Sequence, residues 1–436
     1  MEKYNKYKDS GIEWLGIIPE HWEVKRIKDC ASKVKTGTTP SSKDGDYFSD
    51  GTENWFTPVD IKNNVINSST RKVVKKSFID NQISLFDQNS IYLIGIGGTL
   101  GNVAISTTKS SCNQQINVIT FDDSICVPKF NFYQLIVVGN TLLSWCNYTT
   151  MPIFTQTATK QLELALPPIR EQRQIANYLD TKTTAIDKKV NLLQQKIKHY
   201  KAYRKTLINE TVTKGLDKTV KLKDSGIDWI GEIPEHWEVK RLKDVSKIFT
   251  GNSISDKSLF ETNKDANNYI ATKDINIHTK GVNYDNGVYI PKIDKSFKVT
   301  KKNTSLICLE GASAGKKLTF VDREVAFVNK LCAIKSFDKN VFDKYIFYSL
   351  QTDLFNSQFF ELLSGLIGGV SLGLLKYFNI LVPAIKEQQQ IANYLDTKTT
   401  SIDKIVKNIE TQIATLKELR KTLINEVVTG KVKVSA

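Results

Sequence analysis

No run of about 18 apolar residues occurs anywhere in the 436-residue chain, so no transmembrane helix is expected. The first ten residues, Met1 to Ser10, are polar and charged and lack the apolar centre of a signal peptide. A cytoplasmic protein without membrane contact is the expectation. Cysteine is sparse. Six are scattered (Cys30, Cys112, Cys126, Cys146, Cys308, Cys332) without a CxxC pair, which reads as reduced, mostly buried thiols. Four histidines offer no metal-ligand spacing with them, so no metal site is expected.

Complete catalytic motifs are also missing. A nucleotide-binding P-loop needs GxxxxGK[ST]. The run from Gly311 to Gly315, followed by Lys316 and Lys317, is one residue short and lacks the hydroxyl that would hold magnesium. The run Gly95, Gly97, Gly98, Gly101 fails the GxGxxG spacing. A DNA amino-methyltransferase needs an Asn/Asp-Pro-Pro-aromatic string. Leu166-Pro167-Pro168-Ile169 has neither the amide nor the aromatic. Asp60-Ile61-Lys62 has the form of half a nuclease site, with Asp46 or Asp50 as a second ligand. That tripeptide arises often by chance, and the corresponding Asp274 is followed by Asn276 rather than lysine.

What is present is positive charge and repetition. There are 61 Lys and Arg against 46 Asp and Glu, a net +15, which makes a polyanion such as DNA or RNA a plausible partner. Residues 8–29 align with 223–244 without a gap, identical at 18 of 22 positions and sharing IPEHWEVKR. Residues 166–213 align with 382–429, and 13 of the 15 positions in 175–189 repeat in 391–405. Between these blocks lie two stretches, 38–160 and 252–376, that resemble each other faintly. A period of about 216 residues excludes a small-repeat solenoid. Near-identical blocks around two divergent domains imply one scaffold role performed twice and one reading role performed on two targets.

The second copied block reads as helix. Proline ends the segment before it at Pro167-Pro168 and Pro383. From Arg170 to Thr213 and from Lys386 to Thr429 there is neither proline nor glycine. A 3.5-residue period runs through Leu179, Thr183, Ile186, Val190, Leu193, Ile197, Tyr200, Arg204 and Leu207. In the second copy it runs through Leu395, Thr399, Ile402, Val406, Ile409, Ile413, Leu416, Arg420 and Leu423. Such a seam predicts a coiled coil, with an ordinary amphipathic helix on a globular core as the alternative. The natural partner of one helix is the other, packed antiparallel. Each variable stretch reads as an α+β domain: strands near Ser90–Gly95, Val103–Ser106, Ser305–Leu309 and Val325–Val328, then helices near Phe130–Trp145 and Phe342–Leu363. The fold class is thus α+β: two mixed domains (1–165 and 217–381) joined by two helical regions (166–216 and 382–436) in an antiparallel coiled coil with pseudo-two-fold duplication.

This arrangement resembles the specificity (S) subunit of type I restriction–modification systems. The resemblance rests on the Trp14–Trp22 and Trp229–Trp237 blocks with their IPEHW strings, and on LPPIREQRQIANYLD at 166–180 with its copy VPAIKEQQQIANYLD at 382–396. It covers essentially the whole chain. It implies two target-recognition domains that bind a two-part site in double-stranded DNA, and no catalysis in this chain. It further implies two methyltransferase (M) subunits and, in the full complex, restriction (R) subunits. S-adenosylmethionine, ATP and magnesium would act on those partners, with no cofactor here.

Sequence-specific binding needs phosphate contacts for position and polar side chains at base edges. In the first domain the candidates are Lys35, Thr36, Thr38, Ser41, Ser42 and Lys43, for which a solvated loop is the alternative. Arg71, Lys72, Lys75 and Lys76 form a basic cluster, or a solvated strand edge. Gly97, Gly98, Thr99 and Gly101 with Asn113, Gln114 and Gln115 are the base-reading candidates, against tight turns within the core sheet. The second domain offers Asn252, Ser253, Lys273 and Asn276, then Gly311, Ser313, Gly315, Lys316 and Lys317, then Asn329 and Lys330. The repeated tryptophans sit in the copied blocks, so a packing role is preferred to stacking on bases. Residues 166–216 are the most basic segment, with 11 basic and 4 acidic residues. Those lysines lie beside the DNA spacer, meet an acidic partner, or, as is commonest on helices, form a solvated face. Two competing readings are a self-contained DNA enzyme and a coiled-coil adaptor that binds only protein.

Overall fold

The structure, a computed structural model, describes residues 2–41, 46–146, 151–227, 230–363 and 368–434. The chain divides into two compact units, Met1–Leu192 with Gln412–Ala436, and Leu193–Thr411. Each unit therefore holds one variable domain and a stretch of each long helix.

In the first unit, a five-stranded sheet has the order Ala31–Thr36, Ile116–Phe121, Ile91–Ile94, Val103–Ser106, Asn64–Ile66. Its central strands are apolar on both faces because both faces are covered. Ile91, Leu93, Val103 and Ile105 face the helix Pro128–Gly139 and the core it shares with the long helices. Tyr92, Ile94 and Ala104, one residue out of phase, face a second core with Phe56, Phe86 and Cys112. That second layer is a three-stranded sheet of Ser111–Cys112, Glu53–Phe56 and Arg71–Val73.

The second unit repeats the plan. Its main sheet runs Ser246–Thr250, Leu331–Ser336, Thr304–Cys308, Leu318–Val321, and a second sheet runs Tyr289–Pro291, Ala266–Ile270, Val325–Phe327, Val299–Thr300. Ile307, Cys332 and Ile334 pack toward the helices, while Leu306, Cys308 and Ala333 pack toward the second sheet. Among the described residues the fifth strand of the first unit is not repeated. After Asp60 the chain makes the edge strand Asn64–Ile66; after Asp274 it makes the loop 276–280 instead.

The long helices span Ile169–Lys214 and Ile385–Val428, 46 and 44 residues. All nine predicted seam positions of each helix are buried or half-buried. In the second unit the helices run antiparallel: Lys201 meets Glu410 at 3.9 Å while Arg204 meets Asp403 at 3.1 Å. In the first unit Arg420 meets Asp187 at 3.0 Å, and Leu423, Ile424 and Val427 share a core with Ile175 and Leu179. The pair Asp187–Arg420 is the internal duplicate of Asp403–Arg204, because each partner maps onto the other's by the repeat offset of 216. An arginine on a largely apolar seam sets register at some cost in stability. Here each arginine is largely enclosed and its guanidinium is neutralised by a carboxylate on the facing helix.

Both long helices end on a glycine in the left-handed region, Gly215 (φ 74°) and Gly430 (φ 72°), where other residues are strained. At Gly430 a Cβ would also fall 2.3 Å from Pro19 Cδ, so only glycine lets the helix end close on the first copied block.

Candidate nucleic-acid interface

The copied blocks meet through one carboxylate each. Glu171 accepts from Trp22 Nε1 (3.3 Å) and sits 2.9 Å from His21 Nε2. Glu387 does the same with Trp237 Nε1 (3.2 Å) and His236 Nε2 (2.8 Å). Tyr4 adds a third donor to Glu171 at 2.5 Å; burial and then that carboxylate push the phenol pKa far up. The amides at the next position also match. Gln172 accepts from Val127 N at 2.8 Å, and Gln388 from Phe342 N at 2.8 Å. Trp22 and Trp237 are fully buried, which places them in packing rather than at a surface. Trp14 is half-buried against the same core, and Trp229 lies outside the described residues.

On this scaffold each domain presents three loops at one end of its main sheet. In the first, Thr36 pairs with Asn117 and Ile116 with Ile94, so the loops after Thr36, before Ile116 and after Ile94 emerge together. In the second, Thr250 pairs with Cys332 and Cys308 with Leu331, with the same consequence. These loops gather Thr38, Ser41, Gly97–Gly101 and Asn113–Gln115 in one domain. In the other they gather Asn252, Ser253, Gly311–Lys317, Asn329 and Lys330.

Within the first set, Gln114 is exposed and accepts from Thr39 Oγ1, and Gly98 and Thr99 form an exposed tip. Asn113 is buried, its amide donating to Gln115 Oε1 at 2.9 Å. Gly97 and Gly101 are buried with φ of 106° and 90°, and a Cβ on Gly101 would lie 2.0 Å from Gly139 O. Their glycine requirement is therefore internal: the loop crosses the helix end. Thr38 donates to Gln82 O and its carbonyl accepts from Trp55 Nε1, and Ser41 N donates to Gln82 Oε1. Lys35 reaches Ser84 Oγ at 2.6 Å, and Thr36 Oγ1 donates to Asn117 Oδ1 at 2.7 Å. Arg71 lies over the rings of Phe48 (4.4 Å) and Trp55 (5.3 Å), with Lys72, Lys75 and Lys76 exposed beside it. Ser42 and Lys43 lie outside the described residues.

In the second set, Asn252 Oδ1 accepts from Lys298 N, and Ser253, Asn329 and Lys330 are exposed. Gly311 and Gly315 have φ of 81° and 69°, and a Cβ on Gly315 would press on Phe359 at 2.8 Å. Ser313 is half-buried in the turn, where its carbonyl accepts from Lys316 N. Lys317 Nζ donates to Thr272 O at 2.6 Å, tying the loop to the short helix that carries exposed Lys273. Asn276 is exposed, its side-chain oxygen accepting from His278 N and Thr279 N.

The Asp60 carboxylate accepts from Thr57 N, Thr57 Oγ1, Thr70 N and Thr70 Oγ1. Partial burial works to raise its pKa, but those hydrogen bonds outweigh burial and hold it below the usual carboxylate range. Asp274 caps the equivalent turn, accepting from Ala271 N and Asn286 Nδ2. The Asp60-Ile61-Lys62 string thus has its acid engaged in a turn that both domains share. Among the described residues no group of three or more His, Cys, Asp and Glu is placed to hold a metal ion. No described helix is long and apolar enough to cross a membrane.

Residues 19–199 and 234–415 match the family described as the type I restriction modification DNA specificity domain. The chain belongs to this family. The specificity chain is 25% identical to the type I restriction enzyme MjaIX specificity subunit of Methanocaldococcus jannaschii, over 96% of this chain and 95% of that one. It is 23% identical to the MjaVIII specificity subunit of the same organism, over 98% and 97%. A chain from a solved structure concerned with assembly and conformational transition of the type I R-M system shares its fold. The TM-score there is 0.73 at 17% identity, covering 95% of this chain and 99% of the other.

Sequence reasoning passed over Glu171 and Glu387, and placed Arg204 and Arg420 on the seam without their aspartates. The signal was available: each of these residues recurs unchanged at its duplicate position, as do Asp187 and Asp403.

Proposed function

We propose that each variable domain of this specificity subunit reads one half of a two-part duplex DNA site. In this reading the long helices set the distance between half-sites, and the duplicated blocks dock two methyltransferase subunits. The chain itself carries no catalysis; S-adenosylmethionine, ATP and magnesium act on the methyltransferase and restriction subunits.

One observation carries this reading. The same three-loop frame at the end of a sheet occurs twice, held by identical His-Trp-Glu and Arg-Asp contacts, yet filled with different side chains. A fixed frame with changed exposed residues is what two targets require. Gln114 and Thr99 in one domain correspond in place to Asn329, Lys330 and the Gly311 turn in the other. Amides suit adenine and lysine suits guanine in the major groove.

Native mass spectrometry of the full chain with a methyltransferase subunit and a duplex bearing the host's methylated motif tests this. The expected result is saturation at two methyltransferase subunits per chain, with one duplex bound. Saturation at one subunit contradicts the duplicated docking surface. Assembly that ignores the duplex supports the protein-only adaptor instead.

A further inference from the structure

The second unit contains a cleft of about 1310 Å³ that adjoins the Gly311–Lys317 loop and extends down to the long helices. It is walled by the loop 276–280, the turn at Gly315–Lys316, the helix Asp353–Glu361 and the adjoining stretches of both long helices. Its charges do not cancel. Arg204 is paired with Asp403, Lys201 with Glu410 and Lys205 with Asp353. Among the described residues those three pairs account for every acidic side chain on its walls. Lys280, Lys316, Lys404 and Lys407 remain, with His278 beside them.

Lys280 is the unusual member. Its backbone lies in the left-handed region (φ 60°), where a non-glycine residue is strained, and such strain clusters at functional positions. The loop is fastened there. Lys280 O accepts from Thr319 Oγ1 at 2.6 Å and Lys280 Nζ donates to Lys316 O at 2.8 Å. A carbonyl leaves the ammonium charge uncompensated, and the Arg204 guanidinium lines the same cleft. Burial, then that guanidinium, pushes its pKa down to about 8. Among the described residues the loop occurs in the second domain alone, where it takes the place of the edge strand Asn64–Ile66 of the first.

We propose that this cleft takes the sugar–phosphate backbone of DNA flanking the second half-site, with Lys280 as a phosphate contact that the first domain does not duplicate. The proposal rests on the DNA-reading function above. Three features select a DNA strand. The net charge of the walls is positive. The volume exceeds the roughly 300–1,000 Å³ of small-molecule sites. The walls include Gly315 and Lys316, from one of the three loops at the end of the main sheet. A lysine acts there as a point charge that positions the duplex without reading sequence. Anion binding stabilises the charged form, so Lys280 gains affinity for its proton when DNA is bound.

The test compares full-length wild type, Lys280→Gln and Lys280→Arg on a duplex carrying the host's methylated motif, over salt and over pH 7 to 10. Wild type is expected to bind with little pH dependence from this group below pH 8. It should then weaken roughly tenfold as the free lysine loses its proton above pH 8. Lys280→Gln should bind roughly tenfold more weakly at pH 7, with the slope of log K against log salt shallower by about 0.9, one phosphate contact. Lys280→Arg should keep the wild-type slope and lose the weakening above pH 8. If wild type binds and all three share one slope and one pH profile, the cleft is not a backbone site while the DNA reading stands. If wild type shows no sequence-dependent binding, the DNA reading fails and takes this inference with it.

Discussion

Replacing Trp237 or Trp22 by alanine is expected to destabilise the unit that contains it by about 3–5 kcal/mol. That is a large share of the roughly 5–15 kcal/mol that holds a domain folded. Each indole is fully buried and joins three parts of its unit. Trp22 packs edge-on against Phe130 at 6.2 Å, donates to Glu171 and lies against the helix end at Gly430. Trp237 donates to Glu387 and lies 3.3 Å from the Cβ position of Gly215. Phenylalanine separates packing from hydrogen bonding. Trp22→Phe leaves Glu171 with Tyr4 and His21, whereas Trp237→Phe leaves Glu387 with His236. The second replacement should therefore cost more than the first, by about 1 kcal/mol, the net worth of an ordinary hydrogen bond. Urea titration of the four variants measures this. Equal midpoints for Trp237→Ala and wild type would show that the copied block is not part of the folded core.

Inserting one heptad into each long helix should move the preferred DNA spacer. Seven residues keep the seam in phase. Asp187 faces Arg420 on antiparallel helices, so an insertion after Val190, three residues beyond Asp187, is matched by one after Leu416. Each helix lengthens by about 10.5 Å at 1.5 Å per residue. That is about three base pairs at roughly 3.4 Å each. Three base pairs also rotate the duplex by roughly 100°, at 10–10.5 per turn. Recovery on a longer site is therefore expected to be partial. Affinity for the original site should fall roughly 10- to 100-fold, the loss of one or two base contacts at about 1–3 kcal/mol each. The best site should gain about two to four base pairs. An insertion variant that still prefers the original spacer would mean that the helices do not set it.

The helices are the most legible part of the chain, because a 3.5-residue period and the absence of proline and glycine are local signals. The observed spans, Ile169–Lys214 and Ile385–Val428, extend the predicted stretches by about one residue at most ends. The strand Val103–Ser106 is observed as read, and Ile91–Ile94 lies inside Ser90–Gly95. These runs are buried at every position because a core covers each face. The helical stretch Phe342–Leu363 breaks into Asp343–Ser349 and Asp353–Glu361 at Thr352, whose hydroxyl caps the second helix. That is a cap signal inside an otherwise helical pattern. The parallel pairing of Ser111–Cys112 with Glu53–Phe56 joins segments far apart in sequence and leaves no local trace.

The candidate site is legible in outline and not in detail. The glycine turns and the Asn-Gln turn come in the same order in both domains, and the structure places them together at one end of each main sheet. Which residues face outward depends on pairing. Asn113 and Gly101 are adjacent in type to Gln114 and Gly98, yet the first two are turned into the domain and the last two outward. Lys280 carries no sequence signal, since its role depends on a loop that one domain has and the other replaces with a strand.

If each domain reads one half of the site, exchanging one domain exchanges one half of the motif. Residues 252–376 of this chain can be exchanged for the second variable domain of another type I specificity subunit, and the methylated motif read by sequencing the host's DNA with and without the exchanged gene. The expected result is a motif in which one half is replaced and the other half is retained. A motif changed in both halves, or in neither, would contradict it.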